Sequence, residues 1–229
     1  MFDDTLKPLI VGFVFSLVHV LSPYAAAYEH RLGAKFHSLC GGFAAAYIFL
    51  ELIPSIGDYH EVIGNRIYGF ILVGFVAFYG LESLLTRSQE GATDINTEYA
   101  TSIGMAALYN FLLALGIGNE LPATVLTTVL FSVLISCHLL TTDLSVSEKP
   151  AQHYKVSGRL ILVRYVLVGL AFAFLGGWSE RVTDLIAAAV VGAVLYRVLR
   201  RELPEFRKVH YRSFVSGAFF FAALHLALE

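Results

Sequence analysis

Residues 107–143 read ALYNFLLALGIGNELPATVLTTVLFSVLISCHLLTTD, two apolar runs joined by a short turn of Gly, Asn, Glu and Pro. Each run is long enough to cross a lipid bilayer as a helix, which takes about 20 residues at about 1.5 Å each. Both runs hold polar side chains. Asn110 sits near the middle of the first, and Cys137 and His138 lie deep in the second. An unpaired polar group in hydrocarbon costs several kcal/mol, so these residues are the first candidates for a site.

The surrounding chain has the composition of a membrane protein. Apolar residues make up 57% of it and charged residues 15%, against roughly 25% charged in soluble domains. Mean hydropathy is +0.68. The net charge of −2 gives no electrostatic footprint for nucleic acid. Cys40 and Cys137 fall inside apolar runs and read as small packed hydrophobes, not as a disulfide framework. H-E-x-x-H, G-x-S-x-G, Walker and dinucleotide fingerprints are all missing, so no enzyme is expected.

Charge-poor intervals outline eight expected spans in one integral membrane domain covering 1–229: 8–28, 36–57, 63–86, 99–118, 121–142, 160–178, 183–199 and 213–228. The last two are short for a crossing. Residues 8–28 are expected to be a span and not a signal peptide, because the preceding MFDDTLK is net acidic. With eight spans, Lys7, Arg66 and Arg181 fall on one side. Arg31, Lys35, Arg87, Lys149, Lys155, Arg159, Arg200, Arg201, Arg207, Lys208 and Arg212 fall on the other. This asymmetry places both termini outside the cytoplasm in a plasma or inner membrane. Arg164 and Arg197, near cytoplasmic span ends, are expected to snorkel to the interface.

A shift of 150 residues aligns Gly42 with Gly192, Pro54 with Pro204 and His60 with His210. It lays spans one to three over six to eight. Five spans separate the starts of the two triplets, so they would insert upside down relative to each other, as in inverted-repeat transporters. The fourth and fifth spans become a central pair in a 3+2+3 all-α bundle.

The span order, the termini-out arrangement, CGGFAAAYIFLELIP in the second span, GFILVGFVAFYGLESLL in the third and YNFLLALGIG in the fourth resemble the ZIP family of divalent-metal transporters. The resemblance covers nearly the whole chain. It implies a two-metal site at mid-membrane, built from a His-Asn-x-x-carboxylate-Gly pattern in the fourth span and a His/Gln-(Glu/Asn)-x-Pro-(His/Glu) pattern in the fifth. The matching positions read Tyr109-Asn110-Phe111-Leu112-Leu113-Ala114 and His138-Leu139-Leu140-Thr141-Thr142. Asn110 and His138 keep ligand-capable side chains. Tyr109, Leu113, Leu139 and Thr142 replace expected ligands, and Thr141 replaces the helix-breaking proline. Asp143 is about 100° further around the helix than Thr142, at the cytoplasmic end where hydration is easy. Asn110, His138 and Asp143 are therefore the expected ligands of a degenerate metal site. His19, Glu51, Tyr109, Cys137, Thr142 and His225 are expected along a pathway.

Several of these residues also have plainer roles. Asn110 can cross-link helices, His138 can do the same, and Cys137 can simply pack. His19 and His225 can be satisfied core groups. Glu51 and Glu82 lie within reach of the interfaces, while His60, His210, Glu61, Glu202 and Glu205 read as solvated loop residues. The expected activity is transport of a divalent cation such as zinc, or of another small solute, with no cofactor required. The partners are the bilayer, that cation or solute, and a second copy in a homodimer. Two alternatives stand beside it: a structural or regulatory ZIP-like protein that no longer transports, and a haem protein using two of His19, His138 and His225.

Overall fold

The computed structural model describes residues 2–54, 56–57, 64–89, 95–119, 121, 125–147, 157–201 and 209–227. Every regular element among them is helical: α1 (Phe2–Tyr47) with a following π turn (Ile48–Leu52), α2 (Arg66–Gln89), α3 (Ile95–Asn119), α4 (Val125–Ser147), α5 (Arg159–Leu175), α6 (Glu180–Arg201) and α7 (Tyr211–Leu226). His60, Glu61, Glu202, Pro204 and Glu205 lie outside the described residues.

The first two expected spans are two limbs of α1. Gly33 has φ 31° and ψ −130°, a left-handed backbone that breaks the helical path and that glycine adopts without a Cβ clash. The second limb folds back along the first. The ring of Phe15 lies 6.4 Å from that of Phe131, and the ring of Tyr47 lies 5.9 Å from the same one. A straight helix would hold residues 15 and 47 about 48 Å apart.

Five helical stretches are long and apolar enough to cross a membrane: Leu6–Ala25, Arg66–Leu84, Tyr99–Asn119, Thr127–Leu144 and Arg181–Arg200. Their outward faces carry large apolar side chains such as Phe13, Leu72, Val76 and Val133. These features fit a multi-pass membrane protein. The expected short seventh span is 22 residues long in α6, because the helix continues through Arg197 to Arg201. The eighth is short as expected, with 16 residues in α7, and the sixth is nearly as short, with 17 in α5.

The largest interfaces join α3 to α5, α1 to α7, α2 to α6 and α1 to α4. Helices α3 and α4, adjacent in sequence, share only a small interface, so they are not a packed pair. At three of the large interfaces glycines let backbones touch: Gly169 of α5 faces the carbonyl of Phe111 and the amide of Leu115 on α3, and the other two mirror each other. On the second limb Gly42 faces the carbonyl of Phe214 and the amide of Ala218, and Gly217 of α7 faces the carbonyl of Leu39. Gly192 of α6 faces the carbonyl of Ile71 and the amide of Phe75, and Gly74 of α2 faces the carbonyl of Ala189. Replacing 39 and 42 by 189 and 192, and 71, 74 and 75 by 214, 217 and 218, turns one interface into the other. The shift is 150 residues for the second limb and α6, but 143 for α2 and α7.

Candidate functional site

Pro23 prepares the first limb for a buried histidine. Lacking an N–H, Pro23 leaves the carbonyl of His19, one turn earlier, without its helical donor. The hydroxyl of Ser22 donates to that carbonyl at 3.0 Å, and both Ser22 and His19 are buried. A freed carbonyl in a membrane interior is thus satisfied locally.

The imidazole of His19 joins three helices. Its Nδ1 lies 2.8 Å from Oδ2 of Asp143 on α4, and its Nε2 lies 2.9 Å from Oδ1 of Asn110 on α3. His19, Asn110 and Asp143 are 0%, 1% and 0% exposed, so bulk solvent does not reach these bonds. The Asn110 amide nitrogen donates to the carbonyl of Ala106 at 2.9 Å, which leaves only its oxygen for His19. Nε2 must therefore carry the hydrogen. The other oxygen of Asp143, Oδ1, is buried with no hydrogen-bond partner among the described residues.

A second cluster uses the neighbouring positions on the same helices. Residues one apart on a helix point about 100° apart, so Tyr109 and Thr142 face a different way from Asn110 and Asp143. The ring of Tyr109 meets His138 edge to face at 5.2 Å. The guanidinium carbon of Arg197, from α6, lies 5.0 Å from the Tyr109 ring centroid. Arg197 also donates from Nη2 to Thr142 Oγ1 at 3.4 Å. All four side chains are buried. Where the helix-breaking proline was expected, Thr141 instead donates its hydroxyl to the carbonyl of His138 at 2.8 Å.

A third pair lies on the π turn. Glu51 Oε1 is 3.0 Å from His225 Nδ1, and the Phe221 ring stacks on that imidazole at 6.4 Å. The wider π turn places Glu51 one residue out of α-helical step, and such turns recur at functional positions.

The structure thus brings Asn110 and Asp143 together through His19, sets His138 with Tyr109 and Thr142 in the neighbouring cluster, and pairs Glu51 with His225. Cys137 is half-buried. Asp143 is sealed against His19, not hydrated at a helix end, because the first limb covers it. Arg197 turns inward to an aromatic face and a hydroxyl instead of snorkelling, while Arg164 is exposed. Glu82 is buried. His210 caps α7, its Nδ1 accepting from the Ser213 amide at 3.3 Å, so it is more than a solvated loop residue. Arg197 is the site residue the sequence reading missed as such. Its place inside the apolar stretch AVVGAVLYRVL was the available signal.

Among the described residues no group of three or more His, Cys, Asp or Glu side chains is arranged to hold a metal ion. His19 has both ring nitrogens engaged, which leaves none for iron. The chain matches no family model and no curated protein.

Proposed function

We propose that this chain is an eight-span membrane transporter of ZIP-like, inverted 3+2+3 build, with both termini outside, that moves a small solute other than a bare divalent cation. The interchange of the Gly42/Gly217 and Gly192/Gly74 contacts carries the architectural part. Two interfaces related by exchange of equivalent helices are what an inverted repeat produces, and rocking of one part of such a bundle against another gives alternating access. The same exchange turns the first limb's interface with α4 into that of α5 with α3, both among the largest in the bundle.

The chemistry of the centre argues against a divalent metal at the expected position. Asn110 and one oxygen of Asp143 are committed to His19, and Arg197 brings a fixed cation to Tyr109 and Thr142. A divalent ion held by His138 and Thr142 would stand close to that guanidinium, whose Nη2 is 3.4 Å from Thr142 Oγ1. At an effective dielectric of about 20 and a separation on the order of 5 Å, the repulsion would be about 7 kcal/mol. A guanidinium beside a hydroxyl and an aromatic ring suits an anionic or polar solute better.

Single cysteines at Ser136 and Leu140, in a background with Cys40 and Cys137 replaced by Ser, test transport. Impermeant thiol reagents should reach them from each side of oriented vesicles in different fractions of the molecules. Labelling from neither side under any condition would leave the second role, a membrane protein that no longer transports, which the inward-turned Arg197 also suits. Zinc uptake into the same vesicles should stay at the background of empty liposomes.

A further inference from the structure

We infer that Arg164 binds the headgroup phosphate of an anionic phospholipid, whose acyl chains lie along the exposed face of α5. This site does not depend on what the bundle transports; it needs only α5 in a membrane. Helix α5 reads RLILVRYVLVGLAFAFL, with two arginines and no acid. Its buried residues, Leu162, Val166, Gly169 and Leu170, form one stripe, through which it packs on α3 and the first limb. Arg164 stands outside that stripe and is exposed. Its neighbours one turn away on the same helix face are Leu160, Leu167 and Val168, all exposed. A single cation thus sits in the middle of an apolar surface suited to acyl chains.

Depth brings a phosphate within its reach. Arg164 is five residues from the first residue of α5, about 7.5 Å along the axis. Helical side chains lean toward the N-terminus, so the guanidinium extends back past Leu160 to the beginning of the helix. With 17 residues α5 rises about 25 Å, less than the about 30 Å of a hydrocarbon core, so the bilayer must draw in around it. Tyr165 beside Arg164 and Trp178 past the other end are both exposed, and such rings settle at headgroup level. Arg159, half-buried at the helix start, adds a second positive charge there. A guanidinium forks onto two phosphate oxygens, and a lipid without a cationic headgroup leaves that phosphate charge undiluted. A second copy of the chain is the weaker occupant. Among the described carboxylates Glu82 and Asp143 are buried, Glu51 is paired with His225 and Asp184 is half-buried, so none stands out to meet Arg164.

Solid-state NMR of protein labelled with carbon-13 at the arginine Cζ reads carbon–phosphorus dephasing in nanodiscs of phosphatidylcholine with a minor share of phosphatidylglycerol. Arg164→Gln should remove a dephased component that Arg87→Gln, at another exposed arginine, leaves in place. Retention of phosphatidylglycerol over phosphatidylcholine through delipidation should fall about fivefold in Arg164→Gln, the effect of one arginine near an anionic surface. Equal losses in the two variants would mean diffuse surface charge and overturn the site, as would no loss in Arg164→Gln. Inorganic phosphate in lipid-free detergent should not restore the component; restoration would make the ligand a free anion and overturn the lipid assignment. A dimer held by the wild type and lost in Arg164→Gln would put a second copy on this face and overturn it too. Should Arg164→Gln fail to fold, a fluorophore on Leu160→Cys, with Cys40→Ser and Cys137→Ser, answers with Arg164 intact. Nitroxide-bearing phosphatidylglycerol should quench it more than nitroxide-bearing phosphatidylcholine at equal mole fraction, and equal quenching overturns the proposal.

Discussion

Arg197 lies over the ring of Tyr109, its guanidinium carbon 5.0 Å from the centroid, at the position where the family resemblance led one to expect a metal-binding histidine. A buried cation there changes what restoring ligands would achieve. Adding carboxylates by Leu113→Glu with Thr142→Glu should first neutralise Arg197, so zinc affinity measured by calorimetry should stay near zero. Removing the guanidinium as well, by Arg197→Ala, should bring zinc binding at least tenfold stronger than in the double variant. Tight zinc in the unmodified protein would defeat the fixed-cation account.

Replacing Arg197 should also cost stability in a way that separates it from its neighbour. Cation–π contact and the bond to Thr142 together are worth about 1–3 kcal/mol when shielded from water. Arg197→Ala should lower the melting temperature in detergent well below that of Arg164→Ala, whose side chain is exposed. Equal melting would place Arg197 in water.

The carbonyl of His19 gives a sharper test of local backbone chemistry. Ser22→Ala leaves it without a donor, at a cost of about 1–3 kcal/mol. In a Pro23→Ala background the helical N–H returns, and Ser22→Ala should become nearly neutral. Thermal unfolding of the four members of this cycle measures the coupling. Independent effects would mean Ser22 does not compensate Pro23.

Small residues at helix crossings should divide into two groups. At Gly42 and Gly192 a Cβ would meet backbone of the facing helix, so Gly42→Ala and Gly192→Ala should both destabilise the bundle. At Gly104 nothing lies within 4 Å, and Gly104→Ala should stabilise by about 0.5–1 kcal/mol through helix propensity. Detergent melting of the three variants checks the order.

Arginine bias predicts sidedness at positions the fold leaves exposed. Arg87→Cys and Arg200→Cys should label from the cytoplasmic side, and Trp178→Cys from outside. Labelling of Arg87 and Trp178 from one face would rule out eight spans.

Polarity within apolar runs made Asn110, His138 and His19 visible in the sequence, because an amide or imidazole there is costly wherever it points. What each one touches was not visible. Linear spacing fixes neighbours on one helix, whereas the partners of His19 lie 91 and 124 residues away. Asp143 and Arg197 were misjudged for a shared reason: both lie near the end of an apolar interval, and nothing in their own helix says that another helix covers them. The shift of 150 residues found Gly42 and Gly192, which hold reciprocal places. It missed Gly74 and Gly217, because the chain takes seven fewer residues to reach the later glycine, and one uniform shift cannot follow that change.

The first two limbs are tethered by one residue, Gly33, and two torsion angles cannot let one rod slide far along the other. What they allow is an opening and closing like a pair of dividers. His19 stands about 21 Å from that pivot, so a tilt of about 10° carries its ring about 4 Å relative to the second limb. A bend too small to disturb either helix is thus enough to carry the imidazole beyond hydrogen-bonding range of a partner that does not follow it.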